Sequence, residues 1–230
     1  VTLRDALSLW MFVVLRSSGL IFSRTCLCLN LTSSGSWHKS LDKPRVTGEG
    51  IIDTDLNVLP PRDSVMKRIE QAGLTSNQAG YLWMDDSLGL ILNKLDELKL
   101  AQNTIVLFVA DHGSAHKGSL YKAKGTEVPC IMRWPAGMKA GVRSEELIQN
   151  TDFVPTWFEL AGVKKPAAYR MDGVSLTPLF QAPHEPVREH VYAEIGAARS
   201  IKTKTHSYIA LRYTQEQVAG VQKRQRRDLK

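Results

Sequence analysis

The chain has 230 residues with a formal net charge of +7, and 43% of its residues are hydrophobic. That is enough to bury one sizeable core, which sets it apart from disordered and collagen-like chains. Three cysteines, Cys26, Cys28 and Cys130, are too few for a disulfide framework, and Cys26-Leu27-Cys28 lacks the further ligands of a zinc site. The charge would suit a polyanion, but no nucleic-acid recognition motif accompanies it, so nucleic acid is not an expected partner.

The stretch from Leu7 to Leu15 is almost wholly apolar and is then broken by Arg16-Ser17-Ser18-Gly19. It falls short of the roughly 20 residues that a membrane helix requires, so no membrane span is expected. As a signal peptide it is poorly formed: Asp5 cancels the charge of Arg4, and no small-residue cleavage site follows. Residues 1–36 read as a poorly specified segment, with a buried strand as one reading. Asn30-Leu31-Thr32 has the form of a glycosylation acceptor, which matters only in a secreted chain.

Residues 37–75 are rich in turn formers, with Pro44, Gly48, Gly50 and Pro60-Pro61, and read as loop with short helical turns. Thr75-Ser76 then offers an N-cap, and Met84, Leu88, Ile91, Leu95 and Leu98 recur at steps of four and three. This spacing predicts a helix running to about Leu100 with one apolar face.

Thr104 to Ala110 is apolar after its first residue and rich in β-branched side chains, as in a strand buried on both faces of a parallel sheet. Val128 to Trp134 reads as a second such strand. Between them lies a polar loop opening with Asp111-His112-Gly113, at the carboxyl end of the first strand, where open α/β sheets bind ligands. Asp111 supplies a hard oxygen and His112 an imidazole, a pair suited to a divalent cation. Without further ligands, an Asp turn cap beside a surface histidine explains the pair equally well. Lys117 follows six positions after Asp111 and is a point-charge donor suited to sulfate or phosphate oxygens.

Asp152 is placed to cap a helix from Phe153 to Ala161 that ends at Gly162, with Pro155 in its first turn. Val191 to Ile195, Ser200 to Thr203 and Tyr208 to Tyr213 then read as a small antiparallel sheet. The basic run Lys223 to Lys230 reads as a solvated, frayed terminus.

Taken in order, these residues resemble one family. Met84-Asp85-Asp86-Ser87-Leu88-Gly89, Asp111-His112-Gly113, Lys117-Gly118 with Tyr121, Val128-Pro129 and Arg133-Trp134-Pro135 follow the C-terminal half of sulfatases. So do Asp152-Phe153-Val154-Pro155-Thr156, Leu160-Ala161-Gly162, Asp172-Gly173-Val174-Ser175-Leu176, and Arg199 with Tyr208-Ile209. The resemblance implies an α/β fold: a partial α/β/α sandwich of the alkaline-phosphatase type with a small C-terminal antiparallel sheet. It divides the chain into the segment 1–36, a partial catalytic domain over 37–165 and a C-terminal subdomain over 166–230.

By the same resemblance, Asp111 and His112 help bind Ca2+ or Mg2+, and Lys117 contacts the sulfate and takes part in catalysis. Asp85 and Asp86 read as structural. The activity implied is hydrolysis of sulfate monoesters, with a sulfated small molecule or polysaccharide as substrate. The implied compartment is secretory, lysosomal or periplasmic. The family's formylglycine arises in a Cys-x-Pro-x-Arg type motif that has no counterpart here, so the nucleophile-bearing half is expected to lie outside these residues. The Lys-Gly loop also departs from the family pattern, with Glu127 near the place of an arginine. Two alternatives stand beside this reading: a phosphomonoester or phosphonate hydrolase of the same superfamily, and a non-catalytic sulfatase-like protein that binds anions or a partner.

Overall fold

A computed structural model describes residues 8–15, 29–32, 45–47, 50–52, 60, 62–110, 119–121 and 125–228. The chain divides into two compact units, Val1–Ala115 with Val128–Ala136, and His116–Glu127 with Gly137–Lys230. Both mix helix and strand.

The first unit is built on a four-stranded sheet in the order β2-β1-β5-β6, with β1 at Ser8–Leu15, β2 at Leu29–Thr32, β5 at Thr104–Ala110 and β6 at Cys130–Arg133. A separate hairpin joins β3 (Arg45–Thr47) to β4 (Gly50–Ile52). Strand β5 occupies the bounds its sequence predicts and is covered on both faces: Ile105, Val106, Leu107, Val109 and Ala110 are all buried. Its pairing is not the expected one. It runs antiparallel to both β1 and β6, and Ile131 on β6 is 63% exposed. An apolar run is equally compatible with either pairing, because burial follows from what covers the faces and not from strand direction.

Two helices pack in this unit. Helix α2 (Ala79–Glu97) sets Leu88, Ile91, Leu92 and Leu95 against Val106 of β5, and Tyr81 and Met84 against Phe108 and Ala110. These are the even-numbered residues of the strand, which share one face. Helix α1 (Arg62–Gln71) was not expected, since the segment read as loop; it buries Val65 and Ile69 against Ala79, Leu82 and Trp83. Arg68 of α1 grips Asp86 of α2 through two hydrogen bonds of 2.9 and 2.6 Å. This agrees with a structural role for Asp86, whose side chain is only 12% exposed.

Helix α2 ends one turn earlier than the apolar spacing suggests, and Leu98 is 53% exposed. The ending is a Schellman motif: Leu100 N–H donates to Leu95 O at 2.8 Å and Lys99 N–H to Asp96 O at 3.0 Å. Helix α1 and helix α3 (Phe153–Leu160) close in the same way, on Gly73 and Gly162. Lys99 therefore holds a left-handed conformation (φ 56°) at a place where the other two helices use glycine.

The second unit contains α3, the short helix α4 (Thr177–Gln181) and an antiparallel sheet β7-β8-β9, at Val191–Ile195, Ala198–Lys202 and Ser207–Leu211. The expected three-stranded sheet is present, with β8 starting two residues earlier than its sequence suggests. As far as Asp228 the basic terminus is helical and not frayed backbone: Gln215–Asp228 forms helix α5, and residues 229–230 lie outside the described residues. Gln, Arg, Lys and Ala are good helix formers, so local propensity and the charge of the segment give opposite indications.

Candidate active site

The three residues singled out for chemistry, Asp111, His112 and Lys117, lie outside the described residues. The structure does define the elements on either side of them. Asp111 follows Ala110, the last residue of β5, whose N–H donates to Pro129 O at 3.3 Å. Both strands that flank the loop are thus tied together at its base. Among the described residues no group of three or more His, Cys, Asp or Glu side chains could hold a metal ion.

The far side of the loop belongs to the second unit, with Ser119, Leu120, Tyr121 and Gly125 to Glu127 described. Leu120 is buried and Tyr121 is 57% exposed. The backbone folds back on itself here. A Cβ added at Gly125 would lie 2.1 Å from the Ser119 carbonyl oxygen, so only glycine fits. Glu127, which stands near the place of a family arginine, forms an ion pair with Lys202 of β8. That pair fastens the loop to the C-terminal sheet, an anchor that the spacing of the motif did not reveal.

The second unit is organised around Asp152, which is fully buried. Its Oδ2 accepts from Gln149 N–H at 2.8 Å, and its Oδ1 accepts from Val174 N–H at 2.9 Å and from Arg188 Nη2. Thr156, also fully buried, donates to Asp152 O at 2.6 Å and accepts from Leu176 N–H at 2.9 Å. Between these bonds Gly173 passes so close to Thr151 that a Cβ would sit 2.0 Å from its carbonyl oxygen. The Asp152-Phe-Val-Pro-Thr156 and Asp172-Gly-Val-Ser-Leu176 runs are therefore two halves of one buried junction. They read as motifs in the sequence; the hydrogen bonds show that they are framework.

Several charged side chains elsewhere in this unit have charged or hydrogen-bonding partners. Arg199 Nε lies 2.8 Å from Glu194 Oε2, and Lys204 Nζ lies 2.6 Å from Glu146 Oε2. Glu159 accepts from Thr177 Oγ1 at 2.6 Å, and the hydroxyls of Ser175 and Thr177 hold its carboxyl below the usual range.

The mixed α/β unit built on a covered strand and the small antiparallel sheet that follows it in the chain agree with what comparison of the sequence shows. Residues 46–163, just over half of the chain, match the sulfatase family model, and the chain belongs to that family. More narrowly, residues 110–218 match the C-terminal model of N-sulphoglucosamine sulphohydrolase.

Similar curated proteins include an ulvan-active sulfatase of Formosa agariphila, 38% identical over an alignment of 126 residues, covering 50% of this chain and 25% of that protein. Human steryl-sulfatase is 36% identical over 140 residues, covering 50% of this chain and 24% of the relative. An N-acetylglucosamine-6-O-sulfatase of Bacteroides thetaiotaomicron is 33% identical over 110 residues, covering 45% and 19%. The chain thus spans about a quarter or less of the length of these relatives. A solved structure from Bacteroides thetaiotaomicron, described in connection with the metabolism of multiple glycosaminoglycans, shares the fold at 22% identity with a TM-score of 0.53, covering 69% of this chain and 37% of that one.

Proposed function

We propose that these residues are part of a sulfate-monoester hydrolase acting on sulfated sugars, with Asp111 and His112 contributing to a divalent cation site and Lys117 contacting the sulfate. The observation that carries this reading is the match to the sulfatase model over residues 46–163, which spans all three residues. The names of two relatives, an ulvan-active sulfatase and an N-acetylglucosamine-6-O-sulfatase, support a sugar ester.

The donor chemistry fits a hard cation in part. Ca2+ takes six to eight oxygen ligands and Mg2+ six, so one carboxylate and one imidazole do not complete a site and further ligands must join them. When bound, such a cation would withdraw charge from the sulfuryl oxygens. Lys117 acts on the same oxygens as a fixed positive charge. It binds the ester in the ground state and holds it more strongly as negative charge builds on the departing group. The family's formylglycine is expected from residues other than these.

The test uses the longest natural product containing these residues, assayed on an aryl sulfate and on the matching aryl phosphate with added Ca2+. Sulfate turnover that falls about 100-fold or more in Lys117→Ala is the expected result. A preference for the phosphate ester would replace this reading with a phosphomonoester or phosphonate hydrolase. Anion binding without turnover of either ester would replace it with a non-catalytic sulfatase-like protein.

A further inference from the structure

The sheet β7-β8-β9 has two unlike faces. Residues directly opposite one another on neighbouring strands share a face, so Tyr192, Ile201 and Tyr208 form one row and Glu194, Arg199 and Ala210 the next. Arg212 N–H donates to Ala197 O at 2.8 Å, which extends the pairing of β9 with β8 and sets Arg212 on the same face as Tyr208 and Ala210. The reverse face carries Ala198, which is buried, and Ala193 and Ile209, which are half-buried. The tyrosine row is open instead: Tyr192, Ile201 and Tyr208 are 52%, 41% and 69% exposed. Arg199 and Tyr208 belong to the sulfatase-like pattern, and the proposed reaction uses neither.

Charge on the open face leans positive. Glu194 Oε2 accepts from the Tyr192 hydroxyl at 3.1 Å and lies 2.8 Å from Arg199 Nε, so the carboxylate is neutralised and the Tyr192 ring is held in place. Arg212 has no carboxylate partner among the described residues. Both guanidinium groups act electrostatically on the Tyr192 hydroxyl. Two cations thus stand against one carboxylate, beside a row of two rings with a branched aliphatic chain between them.

Area and charge together select the occupant. Three strands of five residues make a footprint of roughly 17 by 14 Å, on the order of 250 Å2. A stable protein interface buries about 800 Å2 on each partner, so this face alone is too small for one. It is large enough for a few sugar rings. The apolar C–H face of a pyranose stacks on an aromatic ring, and Tyr192 and Tyr208 stand two strand spacings apart, about 10 Å, comparable to the repeat of a disaccharide. A free guanidinium beside such a row binds sulfate oxygens in a fork, which a neutral sugar does not offer.

We infer that the Tyr192–Ile201–Tyr208 row is an accessory platform for a sulfated oligosaccharide, its two rings stacking on sugar faces and Arg212 meeting a sulfate group. The inference rests on the proposed action on sulfated sugars, which makes such a polymer the anion that this protein meets. A polymer held there stays with the enzyme between turnovers, because two weak contacts on one chain reinforce each other.

The experiment measures, by calorimetry, binding of a chondroitin sulfate hexasaccharide to the longest natural product containing these residues and to its Y192A/Y208A, Y192F/Y208F and R212Q variants. Loss of both rings should weaken binding about tenfold or more, while the phenylalanine pair, which keeps the rings and their packing, should stay within about threefold. R212Q should bind roughly threefold more weakly at about 0.1 M salt, and the difference should shrink as salt rises. A desulfated hexasaccharide should bind the unaltered protein about threefold less well or worse. Unchanged affinity in Y192A/Y208A overturns the inference, as do equal losses in the alanine and phenylalanine pairs or equal binding of the desulfated sugar. A change in the sedimentation of Y192A/Y208A would mark the face as a contact between protein chains and overturn it too. Turnover of a small aryl sulfate, measured in parallel, should be normal in all three variants. Normal turnover with unchanged hexasaccharide binding sinks only the platform, and ring-dependent binding without ester turnover by any form sinks only the assigned reaction.

Discussion

Arg188 and Asp152, 36 positions apart in sequence, form an ion pair in which the carboxylate is fully buried and the guanidinium only 12% exposed. The same carboxylate satisfies the N–H groups of Gln149 and Val174, so its loss would strand two backbone donors and a buried cation together.

Asp152→Ala should therefore cost on the order of 3–5 kcal/mol in urea unfolding, if the second unit unfolds cooperatively. Arg188→Met should cost distinctly less, because Asp152 keeps both N–H partners and the methionine fills the space. Equal losses in the two variants would show that the ion pair, and not the backbone bonds, dominates the junction.

Replacing Lys99 by glycine should stabilise the first unit by about 0.5–1 kcal/mol. A left-handed residue with a Cβ costs roughly 1–2 kcal/mol, and glycine returns part of that gain through the greater freedom of its unfolded chain. The measurement is the midpoint of thermal unfolding, and a fall in midpoint would mean that the lysine side chain contributes more than its backbone costs.

Gly125→Ala forces a Cβ against the Ser119 carbonyl, and the loop must open to admit it. Ester turnover by the longest natural product should fall about tenfold or more through misplacement of Lys117, with little change in melting temperature. Glu127→Gln, which loosens the same loop from Lys202, should act in the same direction and more weakly, since both partners are partly exposed.

Burial pushes the Cys130 thiol up to about 11. Its thiolate fraction at pH 8 is then about 0.1%, against about 10% for a thiol at its ordinary 9.0. Alkylation followed by mass spectrometry of the Cys130 peptide should be slow at pH 8 and accelerate about tenfold per pH unit toward pH 11. The raised value also means that the folded state holds a proton that the unfolded chain releases, so stability at this site is full below pH 9 and declines from there to about 11. Rapid labelling at pH 8 would show that the thiol is open to solvent.

Much of this fold was legible because hydrophobic pattern and element length agreed. Thr104–Ala110 is short, apolar and β-branched, and Val191–Ile195 is bounded by turn residues; both strands have the bounds that the sequence indicates. Helix α1 escaped because its apolar residues are few, Val65, Met66 and Ile69 among charged neighbours, so burial of two side chains leaves only a faint period. Strand direction was not written in β5 at all. At the candidate site, sequence order placed Asp111 at the end of a covered strand, but Gly125 against Ser119 and Glu127 with Lys202 are contacts made by folding back, and no local spacing encodes them.

The segment His116–Glu127 belongs to the C-terminal unit, while the residues on either side of it belong to the other. The two units are therefore interleaved along the chain, and no single cut between consecutive residues separates them into intact halves. A truncation before Gly137 would deprive the C-terminal unit of Leu120 and of the carboxylate that meets Lys202, so fragments designed as if this were a linear pair of domains would each carry an exposed wound. The same interleaving makes the Glu127–Lys202 contact, across 75 positions, one that the growing polypeptide completes late in synthesis.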